Sequence, residues 1–186
     1  MKRFVVIGVM FFSCVVPFLA AEGESSSVLA NEIRAQEEQL LKRDTQSAEE
    51  EEKHNTMTIS WGGMGTLWGK PVVTVYVKPC RYTYGFMNDN DYFTVSFYPE
   101  ECRKAMAVMG TKSGRDINKD EASGLTVKPI GQAVTYEEAE VTIICRKIYW
   151  QDLARETMPE DAVERFYTEE EPHRMFIGEV VDIVKK

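Results

Sequence analysis

The chain has 186 residues, 44% hydrophobic and 28% charged, which is enough apolar material for one domain with a real core and excludes a disordered chain. A formal charge of −8, from 22 Lys and Arg against 30 Asp and Glu, repels phosphate backbones, and no basic run offsets it, so a nucleic-acid partner is excluded. Four cysteines, Cys14, Cys80, Cys102 and Cys145, lack the spacing of a disulfide scaffold or a zinc site, and two histidines, His54 and His173, are too few for a His-rich centre; no metal is expected.

Met1-Lys2-Arg3 precedes an apolar stretch from Phe4 to Ala21, and Ala21-Glu22-Gly23 offers small residues where a signal peptidase reads. Residues 1–23 therefore read as a signal peptide cleaved near Gly23. At about 18 residues the stretch is also at the lower limit of a spanning helix, so a retained membrane anchor is the alternative. A membrane would be met only through residues 4–21. The expected location is exported (periplasmic or secreted) or membrane-anchored, and cytoplasmic if the N-terminus is misassigned. Cleavage leaves three cysteines, expected to pack as buried, inert thiols. Residues 24–53 follow as a charged helical linker: Val28 to Lys53 holds no Gly or Pro, and Ile33, Leu40 and Leu41 make only a thin apolar stripe.

The composition changes at Asn55, and residues 54–186 read as the folded domain. Met57–Trp61 alternates apolar and polar side chains, Pro71–Val77 is rich in β-branched residues, and Tyr92–Tyr98 alternates again, which predicts three strands. Gly62, Gly63, Gly65 and Gly69 punctuate the first two. Arg81–Asn88 is long enough for two helical turns before Asp89-Asn90-Asp91 breaks it. Pro99 opens a second helix, Glu100–Met109, closed by Gly110. Extended pieces follow at Leu125–Ile130 and Gln132–Tyr136, then a long strand Ala139–Trp150, a short acidic helix Pro159–Phe166 and a last strand Arg174–Val184. The pattern is mainly β with peripheral helices, a mostly antiparallel barrel rather than a βαβ sheet.

G-x-G-x-x-G, the P-loop, H-E-x-x-H and G-x-S-x-G are all absent. Three polar clusters remain: Asn55-Thr-Met-Thr-Ile-Ser-Trp61, Lys78-Pro-Cys-Arg-Tyr-Thr-Tyr84, and Gly110-Thr-Lys-Ser-Gly-Arg-Asp116 with Lys119. In the second, Arg81 and Thr83 sit where strand gives way to helix, so a guanidinium and a hydroxyl converge where a phosphate can bind. Read singly, Arg81 is more often an exposed surface charge, the third cluster could be a flexible turn, and Trp61 and Trp68 are more often core or rim aromatics.

Together, in this order and spacing, Asn55-Thr-Met-Thr-Ile-Ser-Trp-Gly-Gly-Met-Gly with Trp68, Pro79-x-Arg81-Tyr-Thr-Tyr, Ser113-Gly-Arg-Asp116 with Lys119, and His173-Arg-Met-Phe-Ile-Gly-Glu-Val resemble the flavin reductase-like proteins with an FMN-binding split barrel. The resemblance spans Asn55 to about Lys185. It implies a Greek-key split β-barrel that dimerises, with FMN near the subunit interface. Carried over by position, Asn55, Thr56, Met57, Thr58 and Ser60 would line the flavin and Trp61 would pack beside it. Arg81, Tyr82 and Thr83 would hold its phosphate, and Ser113, Gly114, Arg115, Asp116 and Lys119 would close over the ribityl and phosphate side. His173 matches the family's late histidine beside the flavin or nicotinamide and is the catalytic candidate. The implied activity passes electrons from NADH or NADPH through FMN to a flavin, ferric or protein acceptor. The alternative is a non-catalytic split barrel that binds flavin or another planar cofactor. One departure stands out: relatives place an apolar strand just before the Asn-Thr-Met segment, where this chain is charged, so that strand is lost or another segment replaces it.

Overall fold

The computed structural model describes residues 4–9, as backbone, and 54–186. The expected linker over 24–53, Cys14 and the rest of the segment expected to be a signal peptide lie outside the described residues. In chain order the elements are β1 (Phe4–Val9), β2 (Asn55–Ile59), β3 (Gly62–Leu67), β4 (Lys70–Val77), α1 (Thr83–Asp89) and β5 (Tyr92–Phe97). A single 3-10 turn, Glu100–Cys102, leads into α2 (Arg103–Thr111), then α3 (Lys119–Ser123), β6 (Val127–Ile130), β7 (Ala133–Tyr136) and β8 (Val141–Asp152). After a second 3-10 turn, Arg155–Thr157, come α4 (Glu160–Phe166) and β9 (Arg174–Lys185).

Seven strands form one sheet in the order β2-β1-β5-β8-β9-β4-β3, every neighbouring pair antiparallel. Its two edges, β2 and β3, are joined by Ser60 and Trp61 alone. Such a link spans roughly 11 Å at most, whereas seven strands laid flat put their edges roughly 29 Å apart. The sheet must therefore roll until its edges approach, which makes a barrel with its split at Ser60-Trp61.

The barrel interior follows the period of two: Val73, Val75 and Val77 of β4 meet Phe93 and Val95 of β5, Ile143 and Cys145 of β8, Phe176 of β9 and Met87 of α1. Gly178 lets β9 cross this core, since a Cβ there would lie 2.6 Å from Cys145 Cβ and from the Phe93 ring. The alternate residues of β5 are also buried, because the separate β6–β7 hairpin covers its outer face. Thr94 Oγ1 donates to the Val134 carbonyl at 2.8 Å, and Ser96, Thr135 and Thr142 close a triangle of hydroxyl bonds of 2.8 to 3.1 Å. A second core under α2 joins Tyr98, Ala105, Met106, Met109, Leu125, Val134 and Tyr136.

Four sequence expectations change. The glycine-rich stretch after Trp61 is a strand, β3, paired residue for residue with β4 through a two-residue turn at Trp68 (φ 52°) and Gly69 (φ 71°). The helix expected to stop at Gly110 runs on to Thr111. Part of the third polar cluster is helical as α3, capped by Asn118, whose side chain accepts from the amides of Asp120 and Glu121. Of the three thiols expected to be buried, only Cys145 is; Cys102 is half-buried and Cys80 exposed. The position of the strand before Asn55-Thr-Met is taken by Phe4–Val9, paired with both β2 and β5.

Candidate functional site

The three polar clusters, separated by up to sixty residues of sequence, converge beside the barrel split. From β2, Asn55 Nδ2 donates to Thr83 Oγ1 at 2.7 Å, both side chains being buried. Gly114 completes the junction: a Cβ there would sit 2.2 Å from Asn55 Oδ1 and 3.0 Å from the Tyr82 ring, so only glycine brings the loop this close. Arg115 then closes over the 78–83 turn, with Nη1 donating to the Cys80 carbonyl at 3.0 Å and its guanidinium 5.3 Å above the Tyr82 ring. Ser113 shapes the loop, its Oγ accepting the Arg115 amide while its carbonyl accepts those of Asp116 and Ile117.

Lys119, expected to face a ligand, is buried instead. Its ammonium donates to the Thr56 carbonyl at 2.6 Å and the Met109 carbonyl at 2.9 Å, tying β2 to the end of α2. Burial, and then the Arg81 charge, pull its pKa down to about 8, so it stays charged at neutral pH. Next to it Asp120 accepts from the Tyr136 hydroxyl at 2.5 Å and lies 3.0 Å from His54 Nε2. Burial pushes the Asp120 pKa up, but these two partners more than offset it and leave it below the usual carboxylate value. Because the Tyr136 proton goes to Asp120, its oxygen is left to accept from Thr56 Oγ1, 3.0 Å away.

The structure thus divides the predicted residues. The side chains of Asn55, Thr56, Thr83 and Lys119 are supports already engaged with protein groups. Met57 packs on the barrel core, and Thr58 is held against Gly110, where a Cβ would lie 2.3 Å from Thr58 Oγ1. Ser60, Trp61, Arg81, Arg115 and Asp116 are exposed. Among the described residues the Arg81 guanidinium makes no hydrogen bond or ion pair, although Arg115 and Lys78 both find protein partners.

His173, at the foot of β9, meets Trp61 from the barrel split at 4.8 Å between rings, and its Nδ1 lies 2.9 Å from the Tyr167 hydroxyl. Burial first, then the Lys78 and Arg81 charges, pull its pKa down to about 4. At neutral pH it is an uncharged imidazole. The sequence indicated the helix between β8 and β9 but not that this segment completes the site's end. Phe166 packs edge-on to Trp61 at 5.0 Å, and Lys78 fastens the segment by donating to the Phe166 carbonyl at 3.1 Å and pairing with Glu170. The signal available was its aromatic pair Phe166-Tyr167 within an otherwise acidic run.

A family model described as "Flavin reductase like domain" matches residues 45–186. No curated protein matches the chain. Among solved structures, an FMN-binding protein from Thermus thermophilus with bound 1-cyclohex-2-enone aligns at TM-score 0.61 and 16% identity, over 100% of this chain and 71% of that one. Flavoredoxin from Methanosarcina acetivorans aligns at TM-score 0.61 and 14% identity, over 100% and 69%. The 2-nitrobenzoate 2-nitroreductase of Pseudomonas fluorescens aligns at TM-score 0.60 and 12% identity, over 100% and 65%. At these identities the likeness is one of fold, and it confirms the mainly β split barrel.

Proposed function

Because the chain belongs to the flavin reductase like domain family, a family of flavin-related oxidoreductases, we propose that it binds FMN and passes electrons from NADH or NADPH to a flavin, ferric or protein acceptor. The observation that carries the reading is the exposed Arg81 guanidinium, which has no hydrogen bond or ion pair among the described residues, with Arg115 beside the same turn and the exposed Trp61 at the barrel split. This donor set fits FMN: two guanidiniums suit a phosphate, and an indole suits a flat ring. The solved relatives whose names state FMN binding support the cofactor.

When bound, the flavin supplies the hydride and one-electron chemistry, and the protein has to hold it, orient it and exclude water. Arg81 and Arg115 would hold the phosphate, while Asn55, Thr83 and Lys119 keep β2 and the two loops in register. Trp61 and His173 would bound the ring end. His173, with its pKa near 4, has no proton to release as an imidazolium at neutral pH, so its contribution is a neutral hydrogen bond set by Tyr167. No acid or base is needed to pass a hydride between nicotinamide and flavin.

The acting unit is proposed to be a homodimer, supported by the exposed apolar side chains of Met64 and Trp68 on the β3–β4 hairpin and of Val181 and Ile183 on β9. Export through residues 1–23, to a periplasmic, secreted or anchored location, is likewise a proposal. Its test is the N-terminal residue of the native protein, Glu24 being the one that supports cleavage near Gly23. Such cleavage takes β1 from between β2 and β5, so one molecule cannot both lose the leader and keep the seven-stranded sheet.

The main test mixes the full chain with FMN, desalts it and adds NADH or NADPH without oxygen. Retained visible absorbance that bleaches is the expected result. Absence of retained flavin overturns the reading, and retained flavin that neither nucleotide bleaches overturns its reductase part.

A further inference from the structure

Between β8 and β9 the chain leaves the sheet for some twenty residues and returns. Its two ends are pinned together: the Leu153 amide donates to the His173 carbonyl at 3.0 Å, and Arg174 grips Asp152 through two bonds of 2.6 and 2.7 Å. The excursion folds back over the barrel split and borders a cavity of about 290 Å³, open to solvent on one side and lined by Trp61, Leu153, Met158, Ala162, Phe166 and Tyr167 among others. None of the lining side chains is charged. Two walls are aromatic and nearly perpendicular, Trp61 standing at 89° to Phe166. Such a corner receives a flat ring on the face of one wall and the edge of the other.

Two observations narrow the occupant. The volume falls at the small end of ligand sites, below what a dinucleotide or a whole flavin nucleotide needs but ample for one or two rings, since a cavity of about 150 Å³ already takes benzene. The lining offers no partner to a charge, which would give up part of its hydration to lie against it.

We propose that this cavity is a binding subsite for a small, uncharged, planar aromatic molecule, held against Trp61 and Phe166 beside the site assigned to the flavin. Its role as the seat of the electron acceptor rests on the flavin reading above. Trp61 belongs to both sites and is their shared wall. The Lys78–Glu170 pair fastens the excursion to the turn that carries Arg81, so the cavity and the phosphate end are built on one loop.

The test uses the full chain, with and without saturating FMN, and follows ¹⁹F line broadening of 4-fluoroacetophenone, with the 4-fluorobenzoate anion as the charged counterpart of similar size. The expected result is saturable broadening by the ketone in both forms, with the carboxylate binding at least roughly tenfold more weakly. In Ala162→Trp, which fills the cavity from α4, ketone binding should fall by roughly tenfold or more while the FMN absorbance retained on desalting is unchanged. Ala162→Asp, which places a charge in the same wall, should do the same. Both variants are checked for an unchanged circular dichroism spectrum, and a variant that loses it is replaced by the other. Absence of saturable ketone binding, equal binding of the carboxylate, or binding indifferent to both variants overturns the proposal. So does loss of ketone binding on saturation with FMN, because the cavity is then part of the flavin's own site. A chain that binds the ketone but retains no FMN removes the flavin reading and leaves the cavity assignment standing.

Discussion

At the scale of single residues, the site separates groups that hold structure from groups left over for a ligand. Arg81 is the clearest of the second kind. Arg81→Ala should weaken FMN binding by about 1.5–3 kcal/mol, the value of a charge-assisted contact, with little change in melting temperature; titration of flavin fluorescence checks it. Lys119 is the clearest of the first kind. Lys119→Met leaves the Thr56 and Met109 carbonyls buried without a donor and should cost about 2–3 kcal/mol of stability, read from urea unfolding. His173 gives a pH signature. Its folded pKa of about 4 lies below the unfolded value of 6.5, so the unfolded chain binds the proton first, and stability is complete above pH 6.5 and drains away as the pH falls toward 4. Asp120, also held low, extends that loss at still lower pH. Replacing His173 by Asn should flatten the slope between those limits by about 1 kcal/mol once solvent screening of the half-exposed ring is allowed for. Thermal melts across that range are the check, and an unchanged slope would show that His173 is not the group titrating.

At the scale of elements, β1 decides the most. The charged stretch before Asn55 cannot supply the strand that relatives place there, and the structure fills the gap with Phe4–Val9, hydrogen-bonded on both sides. A central strand has no free edge on which to lose an amide. Val6, paired with Met57 on one side and Val95 on the other, is where proline should do most harm: Val6→Pro should cost about 3 kcal/mol or more and reduce flavin retention. If residues 1–23 are removed in the native protein, the same substitution leaves the mature chain's melting temperature untouched, so one variant reports on both the strand and the leader. The strand β3 was hidden for a different reason. Four glycines between Gly62 and Gly69 read as punctuation, and the hairpin turn places a tryptophan, not asparagine or aspartate, at its first left-handed position. Its pairing with β4 outweighs weak local propensity.

At the scale of the whole molecule, the sheet's order determines where function can sit. Its edges β2 and β3 are forced together by a two-residue link, and that link carries Trp61. The same fold leaves Trp68 and Met64 exposed by 66% and 61%, a costly arrangement for a monomer. Trp68→Glu should therefore shift the chain from dimer to monomer in sedimentation velocity, while a monomeric unmodified chain would remove the dimer from the proposed function. The strand alternation in β4 and β5, α1, α4 and β9 were legible along the chain, because apolar spacing of two and helix-opening residues act locally. The family resemblance also grouped the three polar clusters, and their residues do meet in space. What each residue does there was not legible. Asn55 and Lys119 have the chemistry of ligand-binding side chains, and nothing in the sequence says that a threonine hydroxyl and two main-chain carbonyls claim them first. The cavity behind Trp61 was equally out of view, since it exists only where the β8–β9 excursion lies across the barrel split. Local pattern determined most of the strands and helices, though not β1 or β3, and the order of the motifs along the chain determined which polar residues to group. Only tertiary structure decided which of those groups were left without a protein partner, because hydrogen-bond partners and cavities are set by what the rolled sheet brings into contact.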